Sequence, residues 1–140
     1  MNNAIEQARL CKIDVPVGCV IKKDGTIIAS AYNMREEKQD IAAHAEILAI
    51  KQAQERLSTS RLKGCELFVT LEPCLLCMGA LLKKGISSLF YVLDDEKLGS
   101  LSHYHAFVDD RLQVLSLEDN RFKPLMDQFF QSLRKESEKP

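Results

Sequence analysis

Apolar positions along this 140-residue chain change their period several times, and each change marks an element. From Met1 to about Cys11, Ile5, Ala8 and the Leu10-Cys11 pair recur at near-helical spacing, which predicts a short amphipathic helix that Pro16 ends. Val17 to Lys22 and Thr26 to Tyr32 are β-branched and apolar runs joined through Lys23-Asp24-Gly25, and the Asp-Gly pair predicts an antiparallel hairpin. A stripe of Ile41, Ala45, Leu48, Ala49 and Ala53 predicts a helix from Ile41 to about Arg56, with Asp40 as its N-cap. Glu66 to Thr70 reads as a buried strand. The next helix begins around Pro73, a residue suited to a first helical turn, and runs to Lys84 with Gly85 as its stop. Ile86 to Leu93 and Leu112 to Leu117 are two further strands separated by a polar loop, and Phe122 to Lys135 is a closing amphipathic helix.

Strands separated by helices of about ten residues predict an α/β chain with a mixed five-stranded sheet and helices packed on it. The length suits one domain over residues 1–140 with one core, and residues 135–140, Lys-Glu-Ser-Glu-Lys-Pro, read as a solvated tail. The apolar runs are too short to cross a bilayer, and Met1 to Lys12 lacks the continuous apolar centre of a secretory signal, so a cytoplasmic protein with no membrane partner is expected. With 19 basic against 20 acidic residues the net charge is -1, so the whole molecule does not advertise nucleic-acid binding. Only a local basic patch could supply it.

Three of the five cysteines, Cys11, Cys19 and Cys65, sit in or beside apolar segments and read as small buried hydrophobes. Cys74 and Cys77 are at metal spacing instead. In the first turn of a helix they share a face, and the positive end of the helix dipole there favours both thiolates. His44-Ala45-Glu46 adds a nitrogen ligand and a carboxylate. His44 and Glu46 are about 200° apart round an ideal helix, so they converge only near a helix terminus. One His and two Cys leave the fourth tetrahedral position of a zinc ion open for water, one ion per chain, with Glu46 left over to move that water's protons. Each half alone is weak, since a lone Cys-x-x-Cys also serves redox and structural sites. A closed structural zinc would need a fourth ligand, for which His103 and His105 are the candidates.

Together, His44-x-Glu46 and Pro73-Cys74-x-x-Cys77 form the signature of nucleobase deaminases. With Val15-Pro16-Val17-Gly18, Asn33, Asp40 through Ile47, and Val69-Thr70-Leu71-Glu72-Pro73-Cys74 through Ala80 beside it, the chain resembles the cytidine and deoxycytidylate deaminase superfamily, and within it the bacterial tRNA-specific adenosine deaminases. The resemblance implies a three-layer α/β/α cytidine-deaminase-like fold. It implies zinc on His44, Cys74 and Cys77, Glu46 as proton shuttle, Asn33 as a base contact, and the backbone near Pro73 and Cys74 as part of the pocket. Asp95, in Asp95-Glu96-Lys97-Leu98-Gly99, would be a nucleotide contact. It further implies a homodimer acting on the anticodon loop of a transfer RNA and converting the wobble adenosine to inosine.

From Ser100 to Asp110 the chain departs from that family's pattern, and Asp109-Asp110 stands where an Asn-His pair is usual, an exchange that weakens attraction for phosphate. Candidate RNA contacts are Lys83 with Lys84, Arg61 with Lys63, and Arg134 with Lys135 beyond the Phe129-Phe130 pair. Two other functions stay open. A deaminase of a free nucleobase or nucleoside such as guanine, cytosine or cytidine would use the same chemistry. A zinc-stabilised binding module without catalysis is the other, and Glu46 argues against it, because a pure binder has no use for an unligated carboxylate at the site.

Overall fold

The computed structural model describes residues 1–138. Its elements are α1 (Asn2–Ala8), β1 (Gly18–Lys23), β2 (Thr26–Tyr32), α2 (Arg35–Lys38), α3 (Ala45–Leu57), β3 (Cys65–Leu71), α4 (Leu75–Lys84), β4 (Ser88–Leu93), β5 (Gln113–Ser116) and α5 (Phe122–Ser137). The hairpin forms as its turn residues predict: β1 and β2 pair antiparallel from Gly18 with Tyr32 to Lys23 with Thr26. Asp24 and Gly25 have φ of 50° and 77°, the pair of positive angles that suits a two-residue turn to the twist of the strands.

The sheet has the order β2-β1-β3-β4-β5, with β1 antiparallel to both neighbours and β3, β4 and β5 mutually parallel. This is the expected mixed five-stranded sheet. Alternation along β3 turns Cys65, Leu67 and Val69 to one face, where they are buried with Ala49 and Ala53 of α3 and Met78 and Leu81 of α4. The other face carries α1 and α5. Gly18 lies so close beneath α1 that a β-carbon there would land on the Ala4 carbonyl and the Ala8 amide. Ala8, Val92 and Phe122 make a second buried cluster, and full burial of Phe122 contributes about 1.5–3 kcal/mol.

Several boundaries differ from the sequence expectation, for identifiable reasons. α3 starts at Ala45, not Ile41: the Asp40 carboxylate accepts the Ala42 amide at 2.9 Å in a local turn, and Ile41 is 80% exposed. The N-cap of α3 is His44 itself. α4 starts at Leu75 with Cys74 at its N-cap, so Pro73 precedes the helix. The first helix ends at Ala8, the fourth strand starts at Ser88 instead of Ile86, and the fifth is shorter by one residue at each end. α5 continues to Ser137 through residues assigned to a tail, while Lys139 and Pro140 lie outside the described residues. α2 has no buried residue and so left no apolar stripe to read; distant Asp14 caps it, accepting the Glu36 and Glu37 amides at 2.7 and 3.2 Å. No helix among the described residues is long and apolar enough to cross a membrane.

Candidate metal centre

Two helix N-termini meet at one end of the sheet. His44 precedes α3 in an extended conformation, with φ -68° and ψ 150°, so its ring leaves the helical path just before Glu46 enters the first turn. That break lets two residues on opposite sides of an ideal helix reach one place. Cys74 precedes α4 in the same manner, and Cys77 lies in the first turn. The ligand atoms of His44, Cys74 and Cys77 all lie within 4.8 Å of one another, with His44 Nδ1 3.9 Å from Cys74 Sγ. Neither His103 nor His105 joins this group: His103 Nδ1 is 2.8 Å from the Glu96 carbonyl and its ring sits edge-on to Tyr104.

The electrostatics divide the two cysteines when no metal is bound. Cys74 is drawn down to about 3, chiefly by the hydrogen bond from the Cys77 thiol, with burial opposing and His44 adding its own bond and charge. Cys77 is pushed up, first because it donates to Cys74 and then because it is buried. The bond to Cys74 in turn raises His44 against the effect of its burial. Without a metal the pair therefore holds one proton, which a cation bound by both sulfurs would displace. Glu46 is 4% exposed and is not one of the three clustered ligands; burial lifts its carboxyl above the ordinary range, so it takes up a proton readily.

The remaining predicted residues stand on hydrogen-bonded backbone. Asn33 is buried at the end of β2, donating from Nδ2 to the Val15 carbonyl at 3.2 Å and accepting the Arg35 amide at Oδ1. The Met34 amide donates to the Ala43 carbonyl at 2.9 Å, joining this segment to the residue before His44. The Pro73 carbonyl accepts both the amide and the hydroxyl of Ser100, at 3.0 and 2.7 Å. Asp95 accepts the Lys97 and Leu98 amides at one carboxylate oxygen, both at 3.1 Å. The basic pairs lie elsewhere. Arg61 and Lys63 flank Leu62, whose amide donates to the Lys84 carbonyl at the end of α4 remote from Cys74, and Arg134 and Lys135 are in the last turn of α5.

One residue that matters here was not singled out from the sequence. Glu72 is 2% exposed, and its carboxylate accepts the amides of Asp95, Leu101 and Ser102 at 3.1, 2.8 and 2.9 Å together with the Ser102 hydroxyl. Burial pushes its carboxyl up, but the bonds from Ser102, Leu101 and Asp95 outweigh that and hold it below the ordinary range. The signal was an ionisable side chain between Leu71 and Pro73, at the end of a strand already read as buried.

The profile of the MafB19-like deaminases matches residues 1–134. A tRNA-specific adenosine deaminase of Aquifex aeolicus (strain VF5) is 41% identical over 130 residues, spanning 88% of this chain and 85% of its own. A solved structure from work on A-to-I editing by tRNA:A34 deaminases at the wobble position of transfer RNA matches with a TM-score of 0.77 at 35% identity, over 84% of this chain and 95% of that one. The guanine deaminase of Bacillus subtilis matches with a TM-score of 0.66 at 27% identity, over 99% of this chain and 94% of its own. The chain carries a His-Cys-Cys group placed to hold a metal with a buried carboxylate beside it, and it belongs to the MafB19-like deaminase family, in company with the tRNA-specific adenosine deaminases.

Proposed function

We propose that this chain is a single zinc-dependent deaminase domain that hydrolyses the wobble adenosine of a transfer RNA to inosine. The observation that carries the reading is the convergence of His44, Cys74 and Cys77 beside a buried Glu46 that is not one of the clustered ligands. The ligand atoms of the three side chains lie within 4.8 Å of one another, and one nitrogen with two sulfurs is a donor set that suits zinc. Zinc bound there, one ion per chain, would supply Lewis-acid activation of a water at its remaining position. Glu46 takes the proton from the attacking water and delivers it to the ring nitrogen. It then takes the second proton of that water, now a hydroxyl on the amine-bearing carbon, and passes it to the departing amine, so that the carbonyl forms, the carbon–nitrogen bond breaks and ammonia leaves.

Asn33, the Pro73 backbone and Asp95 bind and orient the base and its nucleotide in this reading. The 41% identity to a tRNA-specific adenosine deaminase supports RNA over a free base, against 27% to a guanine deaminase. The reading carries with it a homodimer working in the cytoplasm, with local basic residues making up for a net charge of -1.

The test incubates purified protein with an anticodon stem-loop RNA and, in parallel, with adenosine, cytidine, cytosine and guanine, scoring inosine in RNA and free ammonia. Inosine in RNA is expected, and Glu46→Ala protein should bind zinc normally yet release no ammonia. Turnover of a free base with RNA untouched would overturn the choice of substrate, and no turnover of any substrate by wild-type protein would overturn the enzyme.

A further inference from the structure

The segment that follows β4 is docked to the stretch that joins β3 to α4, with the Glu72 side chain making most of the bonds. The Glu72 amide donates to the Leu93 carbonyl at 2.8 Å, extending the pairing of β3 with β4, while its carboxylate gathers the Asp95, Leu101 and Ser102 amides and the Ser102 hydroxyl. Ser100 answers from the other side by donating twice to the Pro73 carbonyl, and Gly99 pairs with Cys74 as an isolated antiparallel bridge. The loop is therefore held against the residue that precedes a metal ligand and against the ligand itself. Leu101 packs against the core at the end of this loop, while Leu98 in its middle is 57% exposed.

Every partner of the Glu72 carboxylate is a donor, so only a group with acceptors on both oxygens satisfies them all. We propose that Glu72 is a positioning residue for substrate, fixing the Asp95–Ser102 loop beside the metal group so that it forms a pre-set wall for the nucleotide; the proposal rests on the RNA reading above. Fixing the loop in advance removes an ordering cost that substrate binding would otherwise bear. The influence falls on affinity, since the Glu72 carboxylate bonds to the loop's amides and the Ser102 hydroxyl and is not one of the clustered ligand groups.

The conservative change Glu72→Gln keeps the volume and one acceptor but turns a donor toward donors, and Ser102→Ala removes one bond only. In Glu72→Gln, hydrogen exchange at the Asp95, Leu101 and Ser102 amides should accelerate and KM for an anticodon stem-loop should rise, each by about tenfold, the equivalent of one good hydrogen bond, while kcat stays within about threefold. Metal content should be unchanged, and Ser102→Ala should fall between wild type and Glu72→Gln in both readouts.

Faster exchange with unchanged KM would overturn the role in substrate positioning, and unchanged exchange would overturn the anchor. Loss of metal together with kcat would make Glu72 a strut of the metal group instead. If Glu72→Gln fails to fold, Ser102→Ala decides alone: raised KM with full metal supports the proposal and wild-type behaviour overturns it. Wild-type protein that spares RNA but deaminates a free base would defeat the RNA reading, and the same KM comparison is then made on that base, where a rise supports the wall and no rise overturns it.

Discussion

Cys74 and Gly99 face each other as an isolated antiparallel bridge, so a candidate metal ligand and the loop beyond β4 share one short stretch of paired backbone. No side chain fits at Gly99. A β-carbon there would land on the Glu72 carboxylate and on the Asp95 carbonyl, a main-chain atom with nowhere to move. Gly99→Ala should therefore cost about 1–3 kcal/mol, as overpacking of a filled site does. Thermal denaturation would show it as a lowered Tm, and titration with zinc would show weaker metal binding because Cys74 shifts with its bridge partner. An unchanged Tm would mean that the loop yields freely at this point.

Metal binding should be visible in stability. A ligand that binds only the folded chain stabilises it by about 2.7 kcal/mol at 100 times its Kd, and His44, Cys74 and Cys77 come from segments that only the fold brings together. The Tm of wild-type protein should rise with added zinc and fall on chelation. That of His44→Ala should respond far less, since two sulfurs remain in place of three ligands. Equal responses in the two proteins would remove His44 from the site.

Asn33 uses both ends of its amide, donating to Val15 and accepting from Arg35. Asn33→Asp keeps the shape but sets a carboxylate oxygen against the Val15 carbonyl in a buried place, which should cost about 1–3 kcal/mol. Deamination should also fall, because the Asn33 segment is tied through Met34 and Ala43 to the residue before His44. Chemical denaturation alongside a rate measurement checks both, and full stability with full activity would contradict the buried pairing.

Asp119 provides a test in acid. Its carboxyl is lowered to about 2, chiefly by the hydrogen bond from Arg121, with burial opposing, and Arg121 also donates to Asn2 Oδ1 at 2.6 Å, joining the start of α5 to α1. The ordinary Asp pKa is about 3.9, so the folded value is depressed. The stabilisation is then complete above that ordinary value and is lost as pH falls through it toward the folded one. Asp119→Asn should lie below wild type in Tm at neutral pH by a modest margin, as suits a surface pair, and the two curves should converge as pH drops from about 4 to 2. A constant gap across that range would assign the effect to something other than the carboxylate charge.

What could be read from the chain was whatever depends on near neighbours. The Asp24-Gly25 turn, the periodic strands and the two ligand-bearing motifs each carry their information within a few residues, and all of them appear in the fold. The start of α3 could not be read, because Asp40 and Ile41 satisfy the rules for a cap and for an apolar stripe, and only tertiary packing leaves Ile41 without a partner. Glu72 and Asp14 were missed for a related reason. Their partners lie at Asp95, Leu101 and Ser102 and at Glu36 and Glu37, far along the sequence, and a carboxylate filled by main-chain amides leaves no pattern of residue types behind. The proton on Cys77 belongs to the pair and its burial, which spacing alone does not express.

The placement of β5 has an evolutionary consequence. It is an edge strand held by β4 alone, it is followed by α5, and every ligand-bearing residue precedes both in the chain. Sequence drift in this last part therefore leaves the three clustered side chains and Glu46 where they are. The chemistry is held by the first four strands, and the last strand and helix are free to vary in sequence without moving the atoms that react.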